Sequence, residues 1–371
     1  SLRFNVNDDA HLTRTPSSAG NRRTWTVSLW FKRGKLGSPN KHLFETTSSP
    51  EYTGLYTTTG DQLEFRGYTS SFNWRLTTSQ VFRDPSAWYH VVLNFNSTAS
   101  TASDRAAIYV NGEKVTDFSS STYPSQNYDS NWNNNVQHFI GAFNASNNHW
   151  DGYITEIHAI DGQALAATDF GEYDDNNVWQ PKEFAGTYGP LVDQSQNWSS
   201  GTYSGTTPGS GYEVAKAFNN VGVPGDSFGT GKLWGYYPGS ATLTLPAAIT
   251  LTASSTVELY TWHNTGSTGN ITFTCSNGSV AVTPVDNANI ASTVVSNPYT
   301  TFGASITAIT VTSSGSDWTA LAGIVIDGKL LVDSNVTVAD NSFYLKFADN
   351  SSNSALGTDS SGNDNDFTVN N

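Results

Sequence analysis

Trp88-Tyr-His-Val-Val-Leu-Asn-Phe95, Ala106-Ala-Ile-Tyr-Val-Asn-Gly-Glu-Lys-Val115, His138-Phe-Ile-Gly-Ala-Phe143 and Gly152-Tyr-Ile-Thr-Glu-Ile-His-Ala-Ile-Asp-Gly-Gln-Ala-Leu165 are alternating segments with little between them. Alternation at a period of two marks half-buried strands. Asn111-Gly112 and Asp161-Gly162 each sit between apolar residues that alternate. Two-residue hairpin loops need positive φ, which Asn, Asp and Gly adopt at little cost, so both pairs predict hairpins. Upstream, Thr24-Trp-Thr-Val-Ser-Leu-Trp-Phe31 alternates in the same way, and Leu63-Glu-Phe65 and Trp74-Arg-Leu76 follow at spacings typical of a sandwich.

Composition agrees with an all-β chain. Only 13% of the 371 residues are charged, too few for helix surfaces rich in Glu and Lys, while aromatic residues also reach 13% and exclude disorder. Lys and Arg number 18 against 32 Asp and Glu, a net charge of −14. That balance argues against nucleic acid as a partner, and no apolar run is long enough for membrane insertion by a helix. Cys275 is the single cysteine, so no intrachain disulfide forms, and synthesis in a reducing cytosol is expected. The sequence contains no methionine, which fits a processed product or a fragment of a longer polypeptide.

The texture changes near Asp193, where a Gly/Ser/Thr/Pro-rich stretch leads to new strands, including Ala322-Gly-Ile-Val-Ile-Asp-Gly-Lys-Leu-Leu-Val332 with a third hairpin signal. Ser119–Asn135 reads as a long loop, and Asp169–Gly189 is expected to wrap the sandwich edge. The domains expected are 1–189, a first sandwich; 190–336, a second, smaller and inserted β-sandwich; and 337–371. The last stretch either closes the first domain with a returning strand or begins a further repeat.

Leu2-Arg-Phe4, Val27-Ser-Leu-Trp-Phe31, Trp88-Tyr-His-Val-Val92, Ile108-Tyr-Val-Asn-Gly112, Phe139-Ile-Gly141 and Gly152-Tyr-Ile-Thr-Glu-Ile157 together resemble the concanavalin A-like, laminin G-type jelly roll, a sandwich of antiparallel sheets. The tail Phe343-Tyr-Leu-Lys-Phe347 with Asp359-Ser-Ser-Gly362 resembles the strand and loop that usually begin such domains. Ile160-Asp-Gly-Gln-Ala-Leu165, Phe170-Gly-Glu172 and Val178-Trp-Gln-Pro-Lys182 resemble structural proteins of marine tailed bacteriophages, including tail fibres of cyanobacterial phages. Asp327-Gly-Lys-Leu-Leu-Val-Asp333 is similar to an ending of second modules in those proteins. Val214-Ala-Lys-Ala-Phe218 with Trp234 faintly resembles the galactose-binding jelly roll, with Asn219-Asn220 in place of its usual Asp-Gly.

The resemblance implies a non-enzymatic virion protein, a tail-fibre or receptor-binding segment that recognises host-surface glycans. Its expected partners are a host glycan or receptor, other virion proteins and two further copies in a homotrimer. Its expected place is the tail or capsid surface, after synthesis in the host cytoplasm. A capsid decoration or fibre-shaft module without sugar binding is the alternative, and a secreted glycan-binding or glycan-hydrolysing protein of a marine bacterium is the other.

Candidate sites follow from residue chemistry. Retaining glycosidases need two carboxylates about 5–5.5 Å apart. Glu156 has His158 and Ile160 as its next same-face neighbours, so it reads as a strand glutamate facing solvent. Sugars are gripped by aromatic faces beside amides and hydroxyls in loops. Tyr123, Tyr128, Asn131, Trp132, Asn147, His149 and Trp150 make one candidate carbohydrate patch, and Trp234, Tyr236, Tyr237, Trp262 and His263 a second. The same residue types also cap cores and pack between subunits. The resemblance further implies calcium (Ca2+) held by loop carboxylates and carbonyls, for which Asp174, Asp175, Asp359 and Asp364 are the candidates.

Overall fold

The computed structural model describes residues 1–37, 39–264, 269–314 and 318–370. It is an all-β protein, a concanavalin A-like antiparallel jelly roll plus an additional sandwich. The chain divides into two compact units, Ser1–Pro190 with Ala339–Asn371, and Leu191–Val338. No helix among the described residues is long and apolar enough to cross a membrane.

The first unit is a sandwich of a seven-stranded and an eight-stranded sheet. In the seven-stranded sheet the order is Leu2–Phe4, Gly152–Asp161, Thr24–Arg33, Tyr89–Asn96, Ala106–Val110 and Glu113–Lys114, and Phe343–Leu345 also pairs with Gly152–Asp161. In the eight-stranded sheet it is Phe118–Thr122, Ser71–Val81, Gln62–Thr69, Glu51–Thr57, Lys41–Ser48, Gln137–Ile140, His11–Arg14 and Thr368–Asn370. Trp25, Val27, Leu29 and Phe31 from one sheet meet Phe44, Leu55, Phe65, Trp74 and Leu76 from the other in a single core. Phe343, Leu345 and Phe367 of the returning segment belong to that core.

Asn111 and Gly112 form a two-residue loop with φ of 48° and 89°, and Glu113 faces Val110 across it. Asp327 and Gly328 do the same in the second unit, at 51° and 77°. Asp161-Gly162 corrects the hairpin expectation. Asp161 ends its strand, and its carboxylate accepts hydrogen bonds from the Asn21 amide (2.8 Å), the Asn341 amide (3.0 Å) and Asn133 Nδ2 (3.0 Å). The chain then runs over the outer face of the seven-stranded sheet. Phe170, Trp179, Phe184 and Tyr188 pack there with Val92, Tyr109 and Ile160. Residues 169–189 therefore cover a face of the sandwich rather than wrapping its edge. The expected loop at 119–135 begins as an edge strand, Phe118–Thr122.

The second unit has its own core, built on Trp198, Phe218, Trp234, Phe273 and Phe302 with aliphatic residues from two sheets. The six-stranded sheet holds Val192–Asp193, Lys329–Leu331, Thr319–Ile326, Val257–His263, Ala291–Val295 and Trp234–Tyr236. The five-stranded sheet holds Thr202–Gly205, Gly239–Thr250, Ser305–Ser313, Asn270–Cys275 and Gly278–Val282. Cys275 is buried in this unit.

Candidate functional site on the outer face of the eight-stranded sheet

Because Leu63, Phe65, Trp74 and Leu76 point into the core, strand alternation turns Glu64, Arg66, Tyr68, Arg75 and Thr77 to the opposite face. Cross-strand register arranges that face in rows. Thr47, Tyr52, Tyr68 and Phe72 form one row; Glu45, Gly54, Arg66 and Arg75 the next; His42, Tyr56, Glu64 and Thr77 the third.

The third row and Glu45 make a buried polar network. Glu45 is 0% exposed, and its Oε2 accepts from His42 Nδ1 at 2.8 Å and from Arg66 Nη2 at 3.2 Å. Both Glu64 oxygens are engaged, one by the Tyr56 hydroxyl and one by Thr77 Oγ1 at 2.8 Å. Burial lowers the basicity of His42 against the opposing pull of Glu45, and burial also raises the Tyr56 hydroxyl pKa. Glu45 Oε1 and Arg66 Nε are buried without a hydrogen-bond partner.

Gly54 is what lets this network form. A Cβ there would lie 2.5 Å from the Glu45 carboxyl carbon and 2.5 Å from its Oε2. Gly54→Ala therefore expels a carboxylate that has no solvent to move into. A loss of about 2–4 kcal/mol is expected, because the His42 and Arg66 partners are left unpaired. Chemical denaturation of the variant checks this, and an unchanged midpoint would rule it out.

The first row and Arg75 are more open. Tyr52 and Tyr68 are half-buried with centroids 6.0 Å apart, and Tyr68 meets the edge of Phe72 at 5.4 Å. Phe72 is 42% exposed, the largest apolar exposure on this face. The Arg66 guanidinium lies 5.0 Å and 5.6 Å from the Tyr56 and Tyr68 ring centroids, and that of Arg75 lies 4.4 Å from Phe72. Half-open rings beside guanidinium N–H groups, all on paired strands, can stack a pyranose ring and donate to its oxygens.

The residues singled out from the sequence lie elsewhere, and the first loop patch is corrected. Trp132 and Trp150 are each 1% exposed. Trp132 packs against Phe44 (4.7 Å) and Trp25 (5.8 Å), and Trp150 meets Phe31 edge-on at 5.6 Å. Their ring faces are taken up by the core, so none is left for a sugar. Asn131 is buried and donates from Nδ2 to Glu51 O at 3.1 Å, while buried His149 pairs with Asp9 at 3.2 Å. Tyr128 is half-buried and accepts from Asn73 Nδ2; Tyr123 is half-buried and Asn147 exposed.

The second patch is corrected for the same reason. Trp234 and Tyr236 are buried and bonded to each other, Nε1 to hydroxyl, at 3.0 Å. Trp262 lies 4.2 Å from Phe228 and donates to Ala288 O, and His263 is buried against Asp286. Of this set only Tyr237 is open, at 50%.

The carboxylates do not fit calcium. Asp359 Oδ1 accepts from the Tyr344 and Ser361 amides, and Oδ2 from Ser361 Oγ and the Asn365 amide. Asp174 Oδ1 accepts from the Asn176 and Val178 amides, and Asp175 and Asp364 are exposed turn residues. Among the described residues no three His, Cys, Asp or Glu side chains group as a metal site. Asp174 and Asp359 shape turns through backbone N–H groups, which already occupy the oxygens expected to hold calcium. Glu156 also differs from a plain solvent-facing strand residue. It sits at a bulge with φ of 50° and accepts from the Tyr344 hydroxyl.

The sheet-face residues are missed by a search of loops. Their signal is the alternation Leu63-Glu-Phe65-Arg-Gly-Tyr68, which places Glu64, Arg66 and Tyr68 together.

Comparison with curated proteins finds no match. Solved structures of low similarity include a heptameric SAP-like pentraxin from Limulus polyphemus, 18% identical, with a TM-score of 0.31 over 42% of this chain and 71% of that one. Domain 4 of an extracellular arabinanase from Geobacillus stearothermophilus, in complex with arabinotriose, is 19% identical, with a TM-score of 0.31 over 40% of this chain and 65% of that one. Tailspike protein 2 of Escherichia coli O157:H7 bacteriophage CAB120 is 10% identical, with a TM-score of 0.34 over 46% of this chain and 23% of that one. Residues 6–169 match the family model of the concanavalin A-like lectin/glucanases superfamily.

Proposed function

We propose that this chain binds glycans without hydrolysing them, through the outer face of the eight-stranded sheet. The observation that carries the reading is the contrast between the two sheets. Residues 163–190 cover the outer face of one with an apolar layer, whereas the other presents Tyr52, Tyr68 and Phe72 beside two guanidinium groups. The superfamily matched by residues 6–169 includes both lectins and glucanases by its description. Against catalysis stands the state of the carboxylates on this face. Glu45 and Glu64 are buried, and both Glu64 oxygens are already bonded, so neither is placed to give a proton to a scissile bond.

In its finer form the proposal is a bacteriophage tail-fibre or receptor-binding segment at the virion surface, assembled as a homotrimer with other virion proteins. The sequence resemblance around Ile160–Leu165 and Val178–Lys182 supports that context. The test uses the whole chain against a panel of immobilised bacterial surface glycans. Tyr68→Ala and Phe72→Ala should each weaken binding about 5- to 30-fold, the worth of one aromatic contact, with no reducing sugar released. Binding that ignores both substitutions overturns the site. Absence of any glycan binding favours a decoration or shaft role, and turnover returns the protein to the hydrolases.

A further inference from the structure

We infer that the glycan taken by this face carries a negative charge, a uronic carboxylate or a sulfate ester, and that Arg75 reads it. The inference rests on the proposed glycan-binding role and names its ligand class. Arg66 and Arg75 are directly opposite each other across two paired strands. Facing like charges destabilise a sheet. The arrangement sets two of the chain's 18 basic residues side by side.

Glu45 compensates one of the two charges, through its 3.2 Å contact with Arg66 Nη2. Arg75 has only a neutral partner, Ser120 Oγ at 2.9 Å from Nη2, and no carboxylate pairs with it among the described residues. Its guanidinium is nevertheless held in place, 4.4 Å from the centroid of the exposed Phe72 ring. A fixed, half-buried guanidinium with N–H groups to spare suits a planar carboxylate or a sulfate, which it can meet with two parallel hydrogen bonds.

Arg66 adds a second reason. Stacking over Tyr56 and Tyr68 fixes its plane beside Arg75. An anion placed over the two arginines cancels their repulsion while Tyr68 and Phe72 hold the sugar ring beside it. A neutral sugar leaves the Arg75 charge unanswered. The net charge of −14 repels polyanions at long range, so binding of an anionic glycan by this chain must come from a local site of this kind.

The experiment titrates the full chain with three probes: alginate oligosaccharides bearing carboxylates, dextran sulfate, and neutral dextran. The anionic probes should bind at least 10-fold tighter than dextran, weakening as salt is raised. Whichever of alginate and dextran sulfate binds more tightly identifies the anion. Arg75→Gln should remove about 10-fold or more of that affinity, and Arg75→Lys should restore only part of it, since the charge returns without the fork. Arg75→Gln should melt no lower than the unmodified chain, because it relieves a repulsion; this separates lost recognition from lost folding. If a neutral glycan binds as tightly as the anionic probes and ignores Arg75→Gln while Phe72→Ala weakens it, the inference falls and the glycan-binding role stands. If no glycan of either kind is bound, both fall.

Discussion

Acidification from pH of about 7 to about 4.5 should unfold the first unit, with most of the loss below the ordinary histidine pKa. Three buried histidines cause it. Burial holds His90 and His158 down to about 3 and His138 to about 4, against 6.5 for an exposed ring. The bonding shows why they stay neutral. Trp179 Nε1, which can only donate, points at His90 Nδ1 from 2.9 Å, so His90 Nε2 carries the proton and donates to Ser28 Oγ. The Asn133 amide likewise donates to His138 Nε2, while His138 Nδ1 donates to Val136 O. A second proton on either ring sets two donors head to head.

The sign follows from which state takes up protons. Between 6.5 and the depressed folded values, the unfolded chain binds protons that the folded chain refuses. Stability is complete above 6.5 and is lost as pH falls. At about pH 4.5 each ring costs on the order of 3 kcal/mol, for a total of about 8 kcal/mol. Asp161 works the other way. Burial pushes its carboxyl up to about 7. The folded state therefore takes that proton first, which restores about 3 kcal/mol over the same range. The net loss of about 5 kcal/mol matches the entire stability of many domains. Thermal melts followed by tryptophan fluorescence between these two pH values measure it, and a constant midpoint across the range would falsify the assignment.

Ending the chain after Val338 should leave the first unit unable to hold its fold. The shortened protein lacks Phe343, Leu345 and Phe367, all buried in the core. Their burial contributes about 1.5–3 kcal/mol each, again comparable with the stability of a domain. It also lacks the strands beside Gly152–Asp161 and His11–Arg14, the Asn341 amide that serves Asp161, and the Tyr344 ring stacked 4.1 Å from His158. Limited proteolysis should cut throughout residues 1–190 while sparing 191–338, which keep their own core. Resistance of the 1–190 stretch in the shortened chain would show that the returning segment is dispensable.

Local chemistry made part of this legible in the sequence. Asn111-Gly112 forms its hairpin because a two-residue loop imposes positive φ on both residues, which any reader of the chain can see. Asp161-Gly162 looks the same and behaves differently, because partners as distant as Asn21 and Asn341 claim the Asp161 carboxylate. Trp132 and Trp150 show the same limit. Their loops look open, but residues far away in the chain draw the rings inward. The alternation that aligns Glu64, Arg66 and Tyr68 is plain in the sequence. Which sheet keeps a partly open outer face is not, since that depends on where residues 163–190 come to rest.

The seam between His11–Arg14 and Thr368–Asn370 has a consequence for the order of events during synthesis. Asn370 donates to Thr13 across a separation of 357 positions, and a 148-residue unit with its own core is spelled out in between. Translation runs from one end, so every strand of the inserted unit leaves the ribosome while the earlier sandwich still has an open flank. Closing so long a loop is among the slow steps of folding. Residues 1–190, made before the inserted unit, are thus finished after it, and they wait with a hydrophobic interior only partly sealed until Phe343–Leu345 and Thr368–Asn370 arrive.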